Sequence, residues 1–173
     1  MTSQRKIERG AAVSLIGHPP LQATSLLDPR LNACGTGLRE TEDMTPPGED
    51  SADLRFGPGK LRYFVMRLPR RPLSIAAMTR HLQSTQCLSS AEGLPFWMLL
   101  APPDTQGPTL NADAAWLLKV MPGEGLKLHI GTWHAGPYFP AKSALFFNLE
   151  LADTYKNDHE TLPLSKPLKV ILS

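Results

Sequence analysis

The chain consists of short apolar runs separated by turn residues. Sequences such as Phe56-Gly-Pro-Gly59 and Pro122-Gly-Glu-Gly125 are typical of turns. Many short strands at this spacing favour a small β-sandwich or barrel, so an all-β fold is predicted. The predicted strands cover residues 13–16, 61–68, 73–78, 85–89, 96–101, 114–121, 126–130, 144–151 and 168–172.

Two predicted strands have chemically different faces, because successive side chains of a strand point to opposite sides of a sheet. In residues 126–130 the leucines and Ile130 share one face, and Lys127 and His129 share the other. In residues 145–151 every odd position is apolar, and Asn148 and Glu150 face the opposite way. The alternation leaves open which face is directed inward, but it requires Lys127 and His129 to lie on the same side.

One short helix is predicted over residues 25–31, directly after Thr24. Residues 39–53 are polar and acidic around Pro46-Pro-Gly-Glu-Asp50. They indicate a surface loop, since the single strand predicted before them could not fold alone. The chain is therefore expected to hold an N-terminal tail, residues 1–12, and a single barrel domain, residues 13–173.

Composition excludes several classes of function. The 173 residues contain 18 basic and 16 acidic side chains without a dense Lys/Arg block, so nucleic acid is not an expected partner. No apolar run approaches the ~20 residues that cross a bilayer, so a soluble protein without membrane contact is expected. Cys34 and Cys87 are too few for a disulfide scaffold, which favours a reducing, cytoplasmic compartment. Basic residues near the N-terminus leave organelle targeting open.

Three histidines are candidates for chemistry. His18 and His159 lie in polar loop sequences, which leaves His81, His129 and His134. Each taken alone is more often a packing residue than a catalyst, by about two to one. The pair His129 and His134 around Gly131 favours a site more strongly, although Trp133 between them is also a typical core anchor.

The motifs Thr79-x-His81-x4-Gln86 and Gly131-x-x-His134 are similar to the two-part cupin signature. Arg80-His81 with Thr85-Gln86, and His129 with Trp133-His134, resemble more specifically the ureidoglycolate lyase (ureidoglycolate hydrolase) family. Residues 126–139 and 146–153 look closest to its plant and algal branch. The resemblance covers roughly residues 13–160, with specific motifs in these blocks only.

The resemblance implies a cupin-type double-stranded β-helix barrel, usually a homodimer. Its activity would split ureidoglycolate, a small carboxylate, into glyoxylate and urea during allantoin and purine breakdown. It also implies a divalent metal, nickel in the usual description of the family, with manganese or zinc as other choices, held by His81, Gln86 and His134. Thr79 stands where the cupin signature has its first histidine, and Gln86 replaces its carboxylate. Two imidazoles and an amide form a poor cage, so a metal-free site is equally open.

A lyase of this kind needs a base for the substrate hydroxyl and an acid for the departing nitrogen. His129 and His134 are the predicted proton-transfer residues, because imidazole titrates near neutral pH. The predicted substrate-binding residues are Lys127 for the carboxylate, Trp133 as a pocket wall, Gln86 and Thr85. The alternatives are a catalytically diverged cupin that binds a small organic acid or acts as an interaction subunit, and another enzyme on the same barrel, such as an isomerase.

Overall fold

The computed structural model describes residues 19–173. The strand predicted at 13–16, the tail 1–12 and His18 lie outside the described residues. The described chain forms the elements β1 (Ala23–Thr24), α1 (Leu31–Cys34), β2 (Gly35–Leu38), β3 (Leu61–Pro69), β4 (Ser74–Arg80), β5 (Gln86–Ser90), β6 (Phe96–Ala101), a 3-10 turn (Ala112–Ala114), β7 (Trp116–Val120), β8 (Gly125–Leu128), β9 (Trp133–Tyr138), β10 (Ser143–Leu151), α2 (Thr154–Asn157) and β11 (Glu160–Lys169).

The strands form two curled sheets that face each other as a β-sandwich or half-barrel. One sheet has six strands in the order β1-β7-β6-β9-β4-β11, and the other has five in the order β2-β8-β5-β10-β3. The short β1–β7 contact is parallel, and the other pairings within the two sheets are antiparallel. The predicted all-β class is therefore confirmed.

Two apolar clusters hold the sheets in place. The first lies between the sheets and contains Phe96, Met98 and Leu100 of β6 together with Leu126 and Phe146. The second covers the outer face of the six-stranded sheet and contains the alternate residues of β6, Trp97, Leu99 and Ala101. Both faces of β6 are thus buried, which explains why its sequence is apolar at every position.

The predicted helix at 25–31 is wrong, and the single helical turn of this region is α1, Leu31–Cys34. Pro29 is the cause, because proline disfavours helical geometry in the preceding residue and has no N–H to donate. The chain instead turns at Ser25, whose carbonyl oxygen accepts from the Asp28 N–H at 3.1 Å. The Asp28 carboxylate then accepts from the Arg30 N–H at 2.9 Å.

Most of the strands predicted within residues 19–173 match observed ones to within a few residues. Three observed strands were not predicted: β1 has only two residues, β2 contains two glycines, and Gly136-Pro137 interrupts β9, Trp133–Tyr138. The strand predicted at 168–172 overlaps only the last two residues of a longer one, β11, which contains Pro163 and Pro167. Proline is tolerated there because β11 is the edge strand of its sheet, where one side of the backbone needs no partner.

Residues 39–53 form turns and bends, as predicted for a surface loop. Arg39 and Asp50 close this loop, with Nε of Arg39 at 2.6 Å from Oδ1 of Asp50. Within residues 19–173, no helix is long and apolar enough to span a membrane.

Candidate functional site

The stretch from β8 to β9 crosses from one sheet to the other. β8 belongs to the five-stranded sheet and β9 to the six-stranded sheet. The turn between them is closed by the Thr132 N–H, which donates to the His129 carbonyl at 3.1 Å. Gly131 supplies the third residue of this turn with φ of 83°, a left-handed conformation that glycine adopts at no steric cost. His129 and His134 are consequently directed to different cavities.

The first of these, called here the inter-sheet cavity, has a volume of about 240 Å³. It lies between the two sheets, beside the apolar core. Its polar wall contains both imidazoles that the cupin-like motifs singled out, and further polar groups from α2, β11 and the loops. These polar lining residues are Arg71, Thr79, His81, Gln86, His134, Tyr155, His159 and Thr161.

Main-chain carbonyls determine the tautomers of His81 and His134, whose ring centroids are 5.2 Å apart. Nδ1 of His134 donates to the Thr132 carbonyl at 3.0 Å, and Nδ1 of His81 donates to the Asp158 carbonyl. A carbonyl oxygen can only accept, so both hydrogens are on Nδ1. Each neutral ring therefore has a lone pair on Nε2, available to accept a proton or a hydrogen bond.

His134 is neutral at physiological pH. Burial, together with the neighbouring His81, lowers its pKa to about 4, while the hydrogen bond to the Thr132 carbonyl opposes the shift. Desolvation has this sign because it disfavours the charged form of an imidazole. His134 is thus available as a neutral proton acceptor at neutral pH; the low pKa makes it a weaker base than an exposed imidazole and makes its protonated form a stronger acid.

Asp158 positions His81, a role that the sequence did not reveal. Its carboxylate accepts hydrogen bonds from the backbone N–H groups of Leu82 and Gln83, the latter at 3.0 Å, and its carbonyl accepts from His81. The neighbouring His159 is exposed, as predicted, yet its ring centroid is 5.9 Å from that of His81. The loop after α2 therefore contributes to the site.

Gln86 is held by two buried side chains of β10. Its Nε2 donates to Oδ1 of Asn148 and to Oε2 of Glu150, both at 3.1 Å. Asn148 and Glu150 share a strand face, as the alternation predicted, and this polar face is the buried one, with Glu150 only 2% exposed. Among the described residues, Nδ2 of Asn148 has no hydrogen-bond partner.

Thr79 faces the inter-sheet cavity next to His134, since the two are directly paired across β4 and β9. Its hydroxyl lies 2.9 Å from the Thr161 hydroxyl. Among residues 19–173, no three His, Cys, Asp or Glu side chains are arranged to hold a metal ion. His81, His134 and the Gln86 amide are a poorer donor set for a divalent metal than three imidazoles and a carboxylate, and no chemical step is assigned to a metal.

Lys127 and His129 line a different space, called here the outer cavity, with a volume of about 880 Å³. Lys127 is paired with Thr36 and Cys87 on the face of β8 opposite the core. Its Nζ lies 2.8 Å from Nδ1 of His129. Residues 48–51 line the same cavity, so the acidic loop covers the outer cavity. The structure therefore separates His129 and Lys127 from His134.

Thr85 and Trp133 also lie away from the inter-sheet cavity. The Thr85 hydroxyl bonds to the backbone N–H and carbonyl of Arg55, at 3.1 and 3.0 Å, and this residue lines the outer cavity. Trp133 belongs to the second apolar cluster, where the Arg80 guanidinium lies 4.4 Å from its ring centroid. Its Nε1 donates to the Thr105 carbonyl at 3.0 Å. Trp133 thus supports β9 from behind His134.

Comparison with models of known protein families gives no match for this sequence. A search of curated proteins likewise finds no match.

Proposed function

We propose that this protein is a ureidoglycolate lyase-like enzyme on a cupin-type barrel, which cleaves ureidoglycolate to glyoxylate and urea. The observation that carries the proposal is the pair His81 and His134, whose Nε2 lone pairs are available beside Gln86 and Arg71 around one cavity of about 240 Å³. A cavity of this size suits a small organic acid, and its polar groups converge as a binding site requires.

The proposed reaction uses the neutral form of His134, which has a lone pair on Nε2. Its Nε2 removes the proton from the hydroxyl on the central carbon of the substrate. The oxygen electron pair forms the carbonyl of glyoxylate, and the bond from carbon to the urea nitrogen breaks. The resulting imidazolium, whose pKa is about 4, is acidic enough to return the proton to that nitrogen, which releases urea. One imidazole thus acts as base and then as acid.

Arg71 and Gln86 are the groups that would bind the substrate. Arg71 is exposed and lines the inter-sheet cavity, where its guanidinium can form a charge-assisted bond to a carboxylate. Gln86 is held by Asn148 and Glu150, so its amide is oriented before substrate arrives. His81, fixed by Asp158, would accept a hydrogen bond from the urea group.

The test is to incubate the purified protein with racemic ureidoglycolate and to measure glyoxylate release, with and without added nickel or manganese. We expect release above the spontaneous rate without added metal. Arg71→Gln should raise KM more than it lowers kcat, whereas Arg70→Gln, a change of the preceding exposed arginine, which does not line the cavity, should leave both unchanged. The proposal fails if no condition gives release above the spontaneous rate.

A catalytically diverged cupin that binds a small acid is the second candidate. The observation that favours it is Thr79, which gives the wall beside His134 a hydroxyl where the cupin signature that this chain resembles has its first histidine. Calorimetry with glyoxylate separates the two functions. Binding without any turnover of ureidoglycolate would support the binder, and turnover would support the lyase.

We also propose a homodimer through the outer face of β3 and β10. β3 is the edge strand of the five-stranded sheet, and its exposed side chains Tyr63 and Val65 are 68% and 52% accessible. The Tyr63 ring stacks on Phe147 with centroids 6.0 Å apart. An edge strand with such an apolar stripe is suited to pairing with a second copy. Light scattering should give a dimer for the native chain and a monomer for Val65→Lys.

A further inference from the structure

The outer cavity contains a buried lysine beside an imidazole that can act as its base. Lys127 is 4% exposed, and its Nζ lies 2.8 Å from Nδ1 of His129. Nε2 of His129 faces the Asn32 carbonyl at 3.3 Å, which can only accept, so the hydrogen of the neutral ring is on Nε2. Nδ1 consequently has the lone pair that faces the lysine nitrogen.

The environment of Lys127 favours the neutral amine. Among the described residues, no carboxylate lies within the 4.0 Å that defines an ion pair with its Nζ. Burial lowers the pKa of Lys127, with Arg55 acting in the same direction and Asp53 and Cys87 opposing it. Burial and the nearby lysine also lower the pKa of His129. Both groups are therefore closer to neutral than exposed ones, and a neutral lysine is a nucleophile.

We propose that Lys127 is a reactive lysine that captures a small aldehyde in the outer cavity as a Schiff base, with His129 as the proton acceptor. The amine lone pair attacks the aldehyde carbon, which leaves an alkoxide oxygen on that carbon and a positive charge on the nitrogen. Nδ1 of His129 takes a proton from the nitrogen and passes it to the alkoxide, which becomes a hydroxyl. The remaining proton on the nitrogen is transferred through the same imidazole to the hydroxyl, which leaves as water as the carbon–nitrogen double bond forms. The net reaction joins amine and aldehyde with loss of one water.

The cavity has room and polarity for such a ligand. Its volume is about 880 Å³, and Asn32, Asp53 and Arg55 lie on its wall with Lys127 and His129. The exposed pair Arg55 and Asp53, 3.6 Å apart, can rearrange to bind polar substituents of the aldehyde. This site is separate from the inter-sheet cavity, so the proposal does not depend on lyase activity.

The experiment supplies glyoxylate directly to the full chain at neutral pH, with cyanoborohydride to reduce any Schiff base to a stable carboxymethyl-lysine. Peptide mapping by mass spectrometry then compares the labelling rate at each lysine. We expect Lys127 to be labelled several-fold faster than Lys142, which is exposed, since a lowered pKa raises the fraction of neutral amine and His129 accepts the proton. Lys127→Arg should abolish the fast labelling, and Lys142→Arg should leave it unchanged.

His129→Gln provides a second variant that retains the lysine. It should slow labelling at Lys127 several-fold, with the circular dichroism of the fold unchanged. Equal labelling of all lysines, or labelling at exposed lysines with none at Lys127, would overturn the proposal. Because glyoxylate is added rather than generated, either result is independent of whether the chain cleaves ureidoglycolate.

Discussion

His134 should make the stability of the protein depend on pH in a way that one substitution removes. Burial, together with the neighbouring His81, lowers its pKa from 6.5 to about 4 in the folded state, whereas the unfolded chain retains the ordinary value. Between these two values the unfolded state binds a proton that the folded state does not, so the free energy of unfolding decreases as the pH falls. At about 1.4 kcal/mol per pKa unit, the full loss by pH 4 is about 3 kcal/mol, and by pH 5 it is about 2 kcal/mol.

The assay is urea denaturation of the native chain and of His134→Gln at pH 7.5, 6.5, 5.5 and 5.0. The glutamine does not titrate, so the difference between the two free energies at pH 7.5 measures the other effects of the substitution. Between pH 7.5 and pH 5.0 the native chain should lose about 2 kcal/mol more than the variant does. Parallel curves for the two proteins over this range would refute the assigned state of His134.

Three further predictions concern the residues around the two cavities. Asp158→Asn leaves the Leu82 and Gln83 N–H groups with poorer acceptors. It should lower the free energy of unfolding, measured by urea denaturation, by about 1–3 kcal/mol and should also lower kcat. An unchanged free energy of unfolding and an unchanged kcat would show that Asp158 does not position His81. Gly35→Ala builds a methyl group 2.2 Å from the Lys127 carbonyl oxygen, whereas Gly48→Ala meets its nearest neighbouring atom at 3.9 Å. The first substitution should lower the free energy of unfolding by about 1–3 kcal/mol, because it crowds β2 against β8. Equal stability of the two variants would contradict the close approach. Thr79→Glu puts a carboxylate next to His134 and should raise the pKa of that imidazole, which an NMR titration measures. An unchanged pKa would mean that the side chains at positions 79 and 134 do not lie on the same face of the sheet.

The sequence predicted much of the sheet framework because the pattern of apolar residues in a strand reflects which of its faces are buried. β6 matched its prediction, since a strand covered on both faces is apolar at every position. β10 was also predicted to within one residue, because its alternation is regular. The helix predicted over 25–31 is wrong, since Pro29 within that stretch disfavours helical geometry at Asp28 and donates no N–H.

The candidate site was less predictable, because strand alternation does not say which face is inside. For β8 the face with Lys127 is outside, and for β10 the face with Glu150 is inside. The His129–His134 spacing suggested a shared site, but the chain crosses between sheets within those five residues. Asp158 and His159 reach His81 only through the tertiary fold of the loop after α2, which no local pattern in the sequence encodes.

We propose that the inter-sheet cavity, with His134, is where the chemistry occurs. The most direct measurement compares glyoxylate release from ureidoglycolate by the native chain, His134→Gln and His129→Gln, which replace one imidazole in each cavity. We expect His134→Gln to lose about 100-fold or more of kcat, the usual effect of removing a general base, and His129→Gln to stay within about twofold. A large loss in His129→Gln with activity retained in His134→Gln would contradict the account.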